Sequence, residues 1–442
     1  MLSFGSSTTI EVETTAPTTE RWSRMTRVAF RFCFVYFGLY ALTTQMLGGF
    51  IPSSDMPSLE ELPPFKNLVT WTAVHVFGIT RPLVITGSGS GDKTFNWIAA
   101  LCLLVIATAA TVGWSVLDRE RTQYVTLNKW FRLFLRFATG STMLVYGMVK
   151  AIPLQMPAPS LTRLVEPFGY FSPMGVLWAS IGASSAYERF AGVAELSAAV
   201  CLFIPRLSLV GALILLADSI QIFVLNMTYD VPVKLFSFHL ILMSVVLLAP
   251  EASRLLNVLV FNRRAEPSTQ PPLFRRRRAS RIALALQLAF GAYVLGLSFF
   301  GAWQSWKSFG GGAPRPPLYG IWSVEQMQID GVTRSPLLTD WGRWRRLVVQ
   351  NATALSFQRM DDTFTGYPAA FDMNAKTITL TKPADKNWKA TFAFTQPDPE
   401  RLVLDGQMDG HRVRMETRLF DRNNFLLVKT GFHFVQEAPF NR

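Results

Sequence analysis

The groups in this chain best suited to chemistry are ionisable side chains that interrupt long apolar stretches. Glu195 and Asp218 each stand in such a stretch. If these stretches cross a membrane, each ionisable group costs roughly 3 kcal/mol or more unless it has a partner or a water-filled cavity. A carboxyl group in that setting can hold and pass on a proton beside a reacting atom. Glu195 and Asp218 are therefore the candidate catalytic residues, and a purely architectural ion pair is the alternative.

A polar stripe runs along another apolar stretch at intervals of four, three, four, three and four residues, which places its members on one helical face. The members of this stripe are Arg132, Arg136, Thr139, Met143, Tyr146 and Lys150. Neighbouring polar stripes are best satisfied by facing each other. From the rise per residue, we expect Arg136 to reach Glu195 and Lys150 to meet Glu188.

The stretch "NMTYDVPVKLFSFH", residues 226 to 239, lies where two apolar stretches meet. Asp230 is suited to cap the helix that follows Pro232. The remaining polar groups favour a pocket that opens over the carboxylates. The candidate substrate-binding residues are Tyr146, Lys150, Glu188, Tyr229, Asp230, Lys234 and His239. For His239, a structural role remains the alternative.

A second turn, "GSGSGDKT" at residues 87 to 94, nearly matches a phosphate-binding loop. It has Asp92 between the last glycine and the lysine, which the motif does not allow. We interpret it as a turn in which Asp92 or Thr94 caps the next helix.

The composition indicates that these residues belong to membrane helices. Half of the 442 residues are hydrophobic, 35 are phenylalanine and only 17% are charged. Crossing a hydrocarbon core takes about 20 apolar residues. Seven stretches are long enough, and we predict helices at 28–49, 94–117, 130–152, 187–204, 207–227, 234–256 and 281–303.

The distribution of Lys and Arg predicts the orientation of these helices. Short loops on one side hold clusters such as Arg263, Arg264 and the run at 275–278. Because Lys and Arg favour the cytoplasmic side, the N-terminus is predicted to be cytoplasmic and the C-terminal region periplasmic or extracellular. We expect a bacterial cytoplasmic membrane protein. The same charges suit anionic lipid, so a nucleic-acid partner is not expected.

After residue 304 the pattern changes to short strands that alternate apolar and polar residues, separated by Asp-Gly and Asn-Asn turn signals. This pattern favours an antiparallel barrel or sandwich. The fold class is therefore a polytopic α-helical membrane bundle followed by an all-β antiparallel barrel. The predicted parts are a disordered cytoplasmic tail (1–20), N-terminal helices with an outer loop (21–129), a four-helix core (130–256), a basic loop with the last helix (257–308), a linker (309–317) and the β domain (318–442).

The four-helix core resembles the DoxX-like membrane proteins over roughly residues 130 to 255. The residues that carry this resemblance are Gly147, Lys150, Gly192, Glu195, Arg206, Gly211, Asp230, Pro232 and Lys234. The family is similar to the small subunit of thiosulfate:quinone oxidoreductase and, more distantly, to the membrane part of vitamin K-dependent carboxylases. The β domain looks lipocalin-like because Gly320 and Trp322 match the Gly-x-Trp of that family's first strand.

The DoxX-like resemblance implies a quinone-linked membrane oxidoreductase component that binds a quinone or a similar lipid-soluble carrier in its helix bundle. Its electrons would come from a redox protein partner or directly from the substrate. The sequence has no haem or flavin motif, and its four histidines lack the spacing of metal ligands. The alternative is a non-catalytic envelope binding or scaffold protein whose barrel binds a lipid or a protein partner. Whether the chain is an enzyme is left open by these two hypotheses.

Overall fold

The computed structural model describes residues 21–50, 59–268 and 270–441, so the predicted tail at 1–20 lies outside the described residues. The first part of the chain is helical. Its α-helices are α1 (Arg24–Thr43), α2 (Pro63–His75), α3 (Thr94–Leu117), α4 (Val125–Ala151), α5 (Leu161–Val165), α6 (Pro173–Gly182), α7 (Ser185–Phe203), α8 (Ser208–Thr228), α9 (Lys234–Leu248), α10 (Ala252–Leu259) and α11 (Arg277–Ser308).

Five stretches in the described part of the chain are long and apolar enough to cross a membrane, which is consistent with a membrane protein. They are α1, α3, the stretch 205–228 that contains α8, the stretch 234–259 that contains α9 and α10, and α11. The two other predicted spans are also helices, α4 with 27 residues and α7 with 19. Helix α4 carries the polar stripe that ends at Lys150, α7 carries Glu188 and Glu195, and Asp218 lies on α8.

Four helices form a closed ring in which each helix contacts the next: α4 with α7, α7 with α8, α8 with α9, and α9 with α4. Helix α1 packs on α3 and α4, and α11 packs on α4 and α7. The shared core of the ring and α1 contains fully buried apolar residues such as Leu135, Leu202, Leu215 and Met243.

The contact between α4 and α7 is made possible by two glycines. A Cβ atom on Gly192 would lie 2.3 Å from the backbone nitrogen of Ala151. A Cβ atom on Gly147 would lie 2.9 Å from the carbonyl oxygen of Gly192. Since small residues let two helix backbones approach this closely, the pair fixes the register of α4 against α7.

The C-terminal part is a closed antiparallel β-barrel, as the alternating pattern predicts. Its eight strands are β1 and β3 to β9, because β1 pairs with β3 on one side and with β9 on the other, while β2 adds a short pairing to β1. The elements are β1 (Gly320–Ile329), β2 (Val332–Thr333), β3 (Trp344–Asn351), β4 (Ala354–Arg359), β5 (Phe364–Asp372), β6 (Thr377–Lys382), β7 (Asp385–Asp398), β8 (Arg401–Met408), β9 (His411–Phe420) and α12 (Leu426–Lys429).

Two Asp-Gly pairs make the tight turns that the sequence indicates. Asp330 and Gly331 join β1 to β2 with φ of 50° and 83°, and Asp409 and Gly410 join β8 to β9 with φ of 51° and 83°. Positive φ at both central residues is the geometry that matches the twist of a hairpin, and Asp-Gly tolerates it.

The barrel interior is filled by its own side chains, including the fully buried Trp322, Phe357 and Phe392. Arg343 is also buried, and its guanidinium donates to the carbonyl oxygens of Trp344 and Val324 at 2.8 and 3.1 Å. Burial lowers the pKa of Arg343 from its ordinary value. Small barrels either enclose a ligand or are filled by their own side chains, and this barrel is of the second kind.

The segment between α4 and α7 joins the barrel to the helices. The backbone nitrogen of Leu161 donates to Oε1 of Gln350 at 2.8 Å, and Nε2 of Gln358 donates to the carbonyl oxygen of Val165 at 3.0 Å. Leu161 also packs against residues of β1 and β3. The barrel therefore holds α5 in place by polar and apolar contacts.

Replacing Gly192 with alanine should destabilise the helical part of the protein. The added methyl group meets backbone atoms of α4, and overpacking of this kind costs about 1–3 kcal/mol. Thermal unfolding of the full-length protein in detergent, followed by tryptophan fluorescence, measures the loss. Gly296→Ala in α11 is the matched control, because a Cβ atom there meets nothing within 4 Å. Equal melting temperatures for the two variants would contradict the close crossing.

Candidate functional site

A cavity of about 300 Å³ lies inside the four-helix ring, and side chains from α4, α6, α7, α8 and α9 line it. Apolar residues such as Met143, Leu177 and Trp178 form much of its wall. Its charged lining residues are Lys150, Glu188, Glu195 and Asp218, and Tyr146 also lines it. The sequence-based candidates Tyr146, Lys150, Glu188, Glu195 and Asp218 thus share one cavity.

An ion pair between Lys150 and Glu195 lies at the centre of this site, with Nζ of the lysine in contact with Oε1 of the glutamate. Only 7% of Lys150 and 1% of Glu195 is exposed. The second carboxylate oxygen of Glu195, Oε2, is buried and has no hydrogen-bond partner among the described residues. The pair therefore leaves one acceptor available for a further donor.

The expected pairing of Lys150 with Glu188, and of Arg136 with Glu195, is wrong. Arg136 instead donates from Nε and Nη2 to the carbonyl oxygen of Leu202, at 2.9 and 2.6 Å. These pairs were expected from the depth of the Cα atoms alone, but the side chains of a helix also have a preferred direction. Such side chains lean toward the N-terminus of their own helix.

The direction of the two helices explains the observed pair. Helices α4 and α7 are consecutive long helices of the ring, and the contact between Gly147 and Gly192 brings the end of α4 against the first half of α7. Lys150 leans back along α4 and Glu195 leans back along α7, so their charged groups meet between the levels of their Cα atoms.

Glu188 supports the loop that covers the cavity. Its Oε1 accepts a hydrogen bond from the backbone nitrogen of Met156 at 2.8 Å, and only 1% of the residue is exposed. Its Oε2 is buried and has no hydrogen-bond partner among the described residues. Met156 itself lines the cavity, so Glu188 positions part of the cavity wall.

Asp218 faces the same cavity from α8, one turn before Gln221. The Oδ2 atom of Asp218 is buried without a hydrogen-bond partner in the described part of the chain. Gln221, on the same helix, also lines the cavity. Asp218 and Glu195 thus each present an unpaired oxygen in the region that Lys150 also lines.

Four predicted binding residues, Tyr229, Asp230, Lys234 and His239, do not line this cavity, and their assignment to the pocket is corrected. Lys234 pairs with Asp230 at 2.8 Å, on an exposed turn. Tyr229 packs in a small apolar cluster with Val231. Tyr229 and Asp230 belong to the turn between α8 and α9, which closes one end of the ring, and Lys234 begins α9.

His239 lies on the side of α9 that faces α1. Its Nδ1 lies 2.7 Å from the carbonyl oxygen of Leu235, and its Nε2 lies 2.8 Å from the hydroxyl of Tyr36. Because a carbonyl oxygen only accepts, Nδ1 carries the proton and Nε2 accepts from Tyr36. The ring also stacks on Tyr40 at 3.8 Å. This is the structural role that the sequence left open for His239.

The two predicted helix caps are also corrected. Asp230 has a φ of 51° and caps nothing, and the N-cap position of α9 is Val233. The cap comes from the distant Asp92, whose carboxylate accepts from the backbone nitrogens of Lys234 and Leu235, each at 2.8 Å. Asp92 therefore ties the turn before α3 to the start of α9, and it does not cap α3.

Trp178 was missed by the sequence interpretation. It lies on α6, a helix of 10 residues that is too short to be recognised as a membrane span. Asn226, one of the polar groups of residues 226–239 from which the pocket was predicted, lines the cavity, and its Nδ2 donates to Oγ of Ser237 at 3.0 Å.

The arrangement defines a class of site. An apolar cavity that holds a buried ammonium group and several carboxylates can bind an amphipathic molecule and exchange protons with it. Within residues 21–50, 59–268 and 270–441, no three His, Cys, Asp or Glu side chains come together as a metal site. Fold and site together describe a helical-bundle protein with a polar-lined internal cavity and an appended closed β-barrel.

Comparison with known proteins found a similarity over about a third of this chain. The chain is similar to the uncharacterized protein YwoB of Bacillus subtilis strain 168, with 28% identity over 155 residues. The match covers 33% of this chain and 88% of YwoB. No family model matches the chain. No solved structure matches it either.

Removing the cap from α9 should destabilise the protein, because Asp92 satisfies two backbone donors at the helix start. We expect Asp92→Ala to cost about 1 kcal/mol. Asp230→Gly is the matched comparison, since glycine tolerates the positive φ at that position. Thermal unfolding in detergent should show a lower melting temperature for the first variant. A larger loss in Asp230→Gly would restore Asp230 as the cap.

Breaking the buried ion pair from one side should cost more than removing it whole. Lys150→Met leaves the Glu195 carboxylate buried without its cation, and a loss of about 3–5 kcal/mol is expected. Adding Glu195→Gln should recover part of that loss. The exposed pair Arg414 and Glu416 in the barrel is the control. The same double-mutant cycle made on that pair should give a coupling free energy of about 0–1 kcal/mol. Unfolding temperatures that change additively in the buried cycle would show that the pair is not coupled.

Proposed function

We propose that this chain is a polytopic membrane protein that binds a lipid-soluble molecule with a polar head, of the quinone type, in the cavity of its four-helix ring. The observation that carries the proposal is the buried pair of Lys150 and Glu195 inside an otherwise largely apolar cavity. Ligand cavities in proteins start at roughly 300 Å³. A cavity of this size suits a head group, with an apolar tail leaving between helices into the bilayer.

The residues present fit a quinone head group. Its two carbonyl oxygens need hydrogen-bond donors, and Lys150 and Tyr146 can provide them from α4. Its ring needs apolar or aromatic walls, which Met143 and Trp178 provide. Reduction of a quinone to a quinol takes up two electrons and two protons. A redox protein partner is proposed as the electron source, and the protons would pass through the chain's own carboxyl groups.

Glu195 and Asp218 are the proposed proton-relay residues. Each has a carboxylate oxygen without a hydrogen-bond partner among the described residues, and both residues line the cavity. A relay needs titratable groups within reach of the reacting oxygen, either directly or through one water. Glu188 is a positioning residue in this scheme, because it holds the backbone of Met156 in the cavity wall.

The membrane topology is part of the proposal. Seven helices, α1, α3, α4, α7, α8, α9 and α11, cross a bacterial cytoplasmic membrane with the N-terminus on the cytoplasmic side. The excess of Lys and Arg in loops such as 257–276 supports this orientation. The barrel then lies on the outer side, attached to the loop between α4 and α7. The DoxX-like resemblance of residues 130 to 255 is consistent with this arrangement and supports the quinone assignment.

The decisive measurement is mass spectrometry of small molecules that co-purify with the full-length protein from native membranes. We expect a quinone with the wild type and its loss in the Glu195→Gln, Asp218→Asn double variant. Asp230→Asn is the control, because it neutralises an exposed carboxylate outside the cavity. Size-exclusion profiles and tryptophan fluorescence verify that each variant is folded.

Two results would overturn the quinone proposal. One is the absence of any quinone from the folded wild-type protein. The other is equal quinone retention by the wild type and the double variant, since this would place the molecule outside the carboxylate-lined cavity. A lipid that remains bound to the double variant would favour the alternative of an envelope binding protein.

A further inference from the structure

A second cavity, of about 490 Å³, lies at the opposite end of α4 from the Lys150 and Glu195 pair. Its walls come from the first half of α4, the start of α8, the end of α9 with the following turn, and the loop around residues 270–273. It shares no lining residue with the cavity described above. The proposed quinone site does not use it.

This cavity has a surplus of positive charge. Five cationic side chains and one carboxylate line it: Lys129, Arg132, Arg136, Arg206, Arg254 and Glu251. The carboxylate of Glu251 is already engaged, because Arg254 pairs with it and Oγ of Ser268 donates to it at 2.7 Å. The other four cations have no carboxylate within 4 Å in the part of the chain that the structure describes.

Neutral oxygens hold three of these cations, Lys129, Arg132 and Arg136, in place without compensating their charge. Lys129 lies 3.3 Å from the carbonyl oxygens of Pro272 and Leu273. Arg132 donates to Oε1 of Gln270, and Arg136 donates to a backbone carbonyl as described above. The Nε atom of Arg132 is buried and has no hydrogen-bond partner among the described residues. These contacts orient the guanidinium groups and leave their charge for another ligand.

Two further features favour an anion in this cavity. Arg132 and Arg136 are one helical turn apart, and like charges at this spacing repel each other unless an anion lies between them. The first residues of α8, Ser208 and Leu209, also line the cavity, and no side chain caps that helix. The N-terminus of a helix of 21 residues carries a partial positive charge.

We propose that this basic cavity binds a negatively charged phosphate group. Planar guanidinium groups match the oxygens of phosphate with paired hydrogen bonds, and this is why arginine is frequent in phosphate sites. Basic pockets between helices at the membrane surface bind the head groups of anionic phospholipids in the same way. A soluble phosphate compound offers the same chemistry, and the experiment below separates the two sources.

The test uses native mass spectrometry of the full-length protein in detergent, titrated with dioleoylphosphatidylglycerol, dioleoylphosphatidylcholine or inorganic pyrophosphate. The head group of the choline lipid has no net charge, because an ammonium group lies beside its phosphate, so it should bind more weakly to the arginines. The pocket variant is Arg132→Gln, Arg206→Gln, which spares the backbone contact of Arg136. Arg263→Gln, Arg264→Gln removes the same charge from exposed positions outside the cavity and is the control.

We expect the wild type and the control to bind the glycerol lipid about tenfold more tightly than the choline lipid, and the pocket variant to lose this preference. Pyrophosphate binding that is lost only in the pocket variant, with no preference between the lipids, supports the phosphate site with a soluble ligand. Equal binding of every probe to the wild type and the pocket variant overturns the proposal. A control variant that loses as much as the pocket variant also overturns it. If Arg132→Gln, Arg206→Gln is unfolded, Arg206→Gln alone changes an exposed side chain and replaces it in the same test.

Discussion

The burial of Lys150 against Glu195 constrains the rest of the helical ring. An ammonium and a carboxylate in an apolar interior are tolerated only together, because either group alone leaves an uncompensated charge. Their meeting requires that α4 and α7 approach closely, and this depends on Gly147 and Gly192. The pair also leaves Oε2 of Glu195 without a described partner. The interaction that orders the ring therefore creates an unsatisfied acceptor inside it.

Contacts with the loops around the ring also maintain this site. Asp92 joins the turn before α3 to the start of α9, and Glu188 holds the loop after α4 over the cavity. The barrel contacts the same loop through Gln350 and Gln358. The barrel, whose interior is filled by its own side chains, is therefore attached to the loop that covers the cavity.

The two ends of α4 have different electrostatic character. Near Ala151 the helix presents Lys150 to carboxylates inside a mostly apolar cavity. Near its start it presents Arg132 and Arg136 to a polar cavity with few acidic groups. Intervals of four and three residues along α4 place these arginines on the same helical face as Lys150. One polar stripe therefore contributes to two separate cavities.

The sequence predicted the elements better than it predicted the contacts. Helix positions followed from apolar length, and the barrel strands followed from alternation and from Asp-Gly turns such as Asp330 and Gly331. The polar stripe on α4 and the carboxyls on α7 and α8 also identified the charged side chains of the candidate cavity. These signals are local, because periodicity and turn chemistry depend on neighbouring residues alone.

The partners of these residues were decided by tertiary structure. Lys150 pairs with Glu195 and not with Glu188, because helical side chains lean along their own helices and the glycine contact sets the register. Asp92 caps α9 across 142 positions of the chain. Composition and periodicity by themselves determined an apolar helical region and an antiparallel β domain. Only the packed structure decided which charged groups meet, since that depends on distances between elements far apart in the chain.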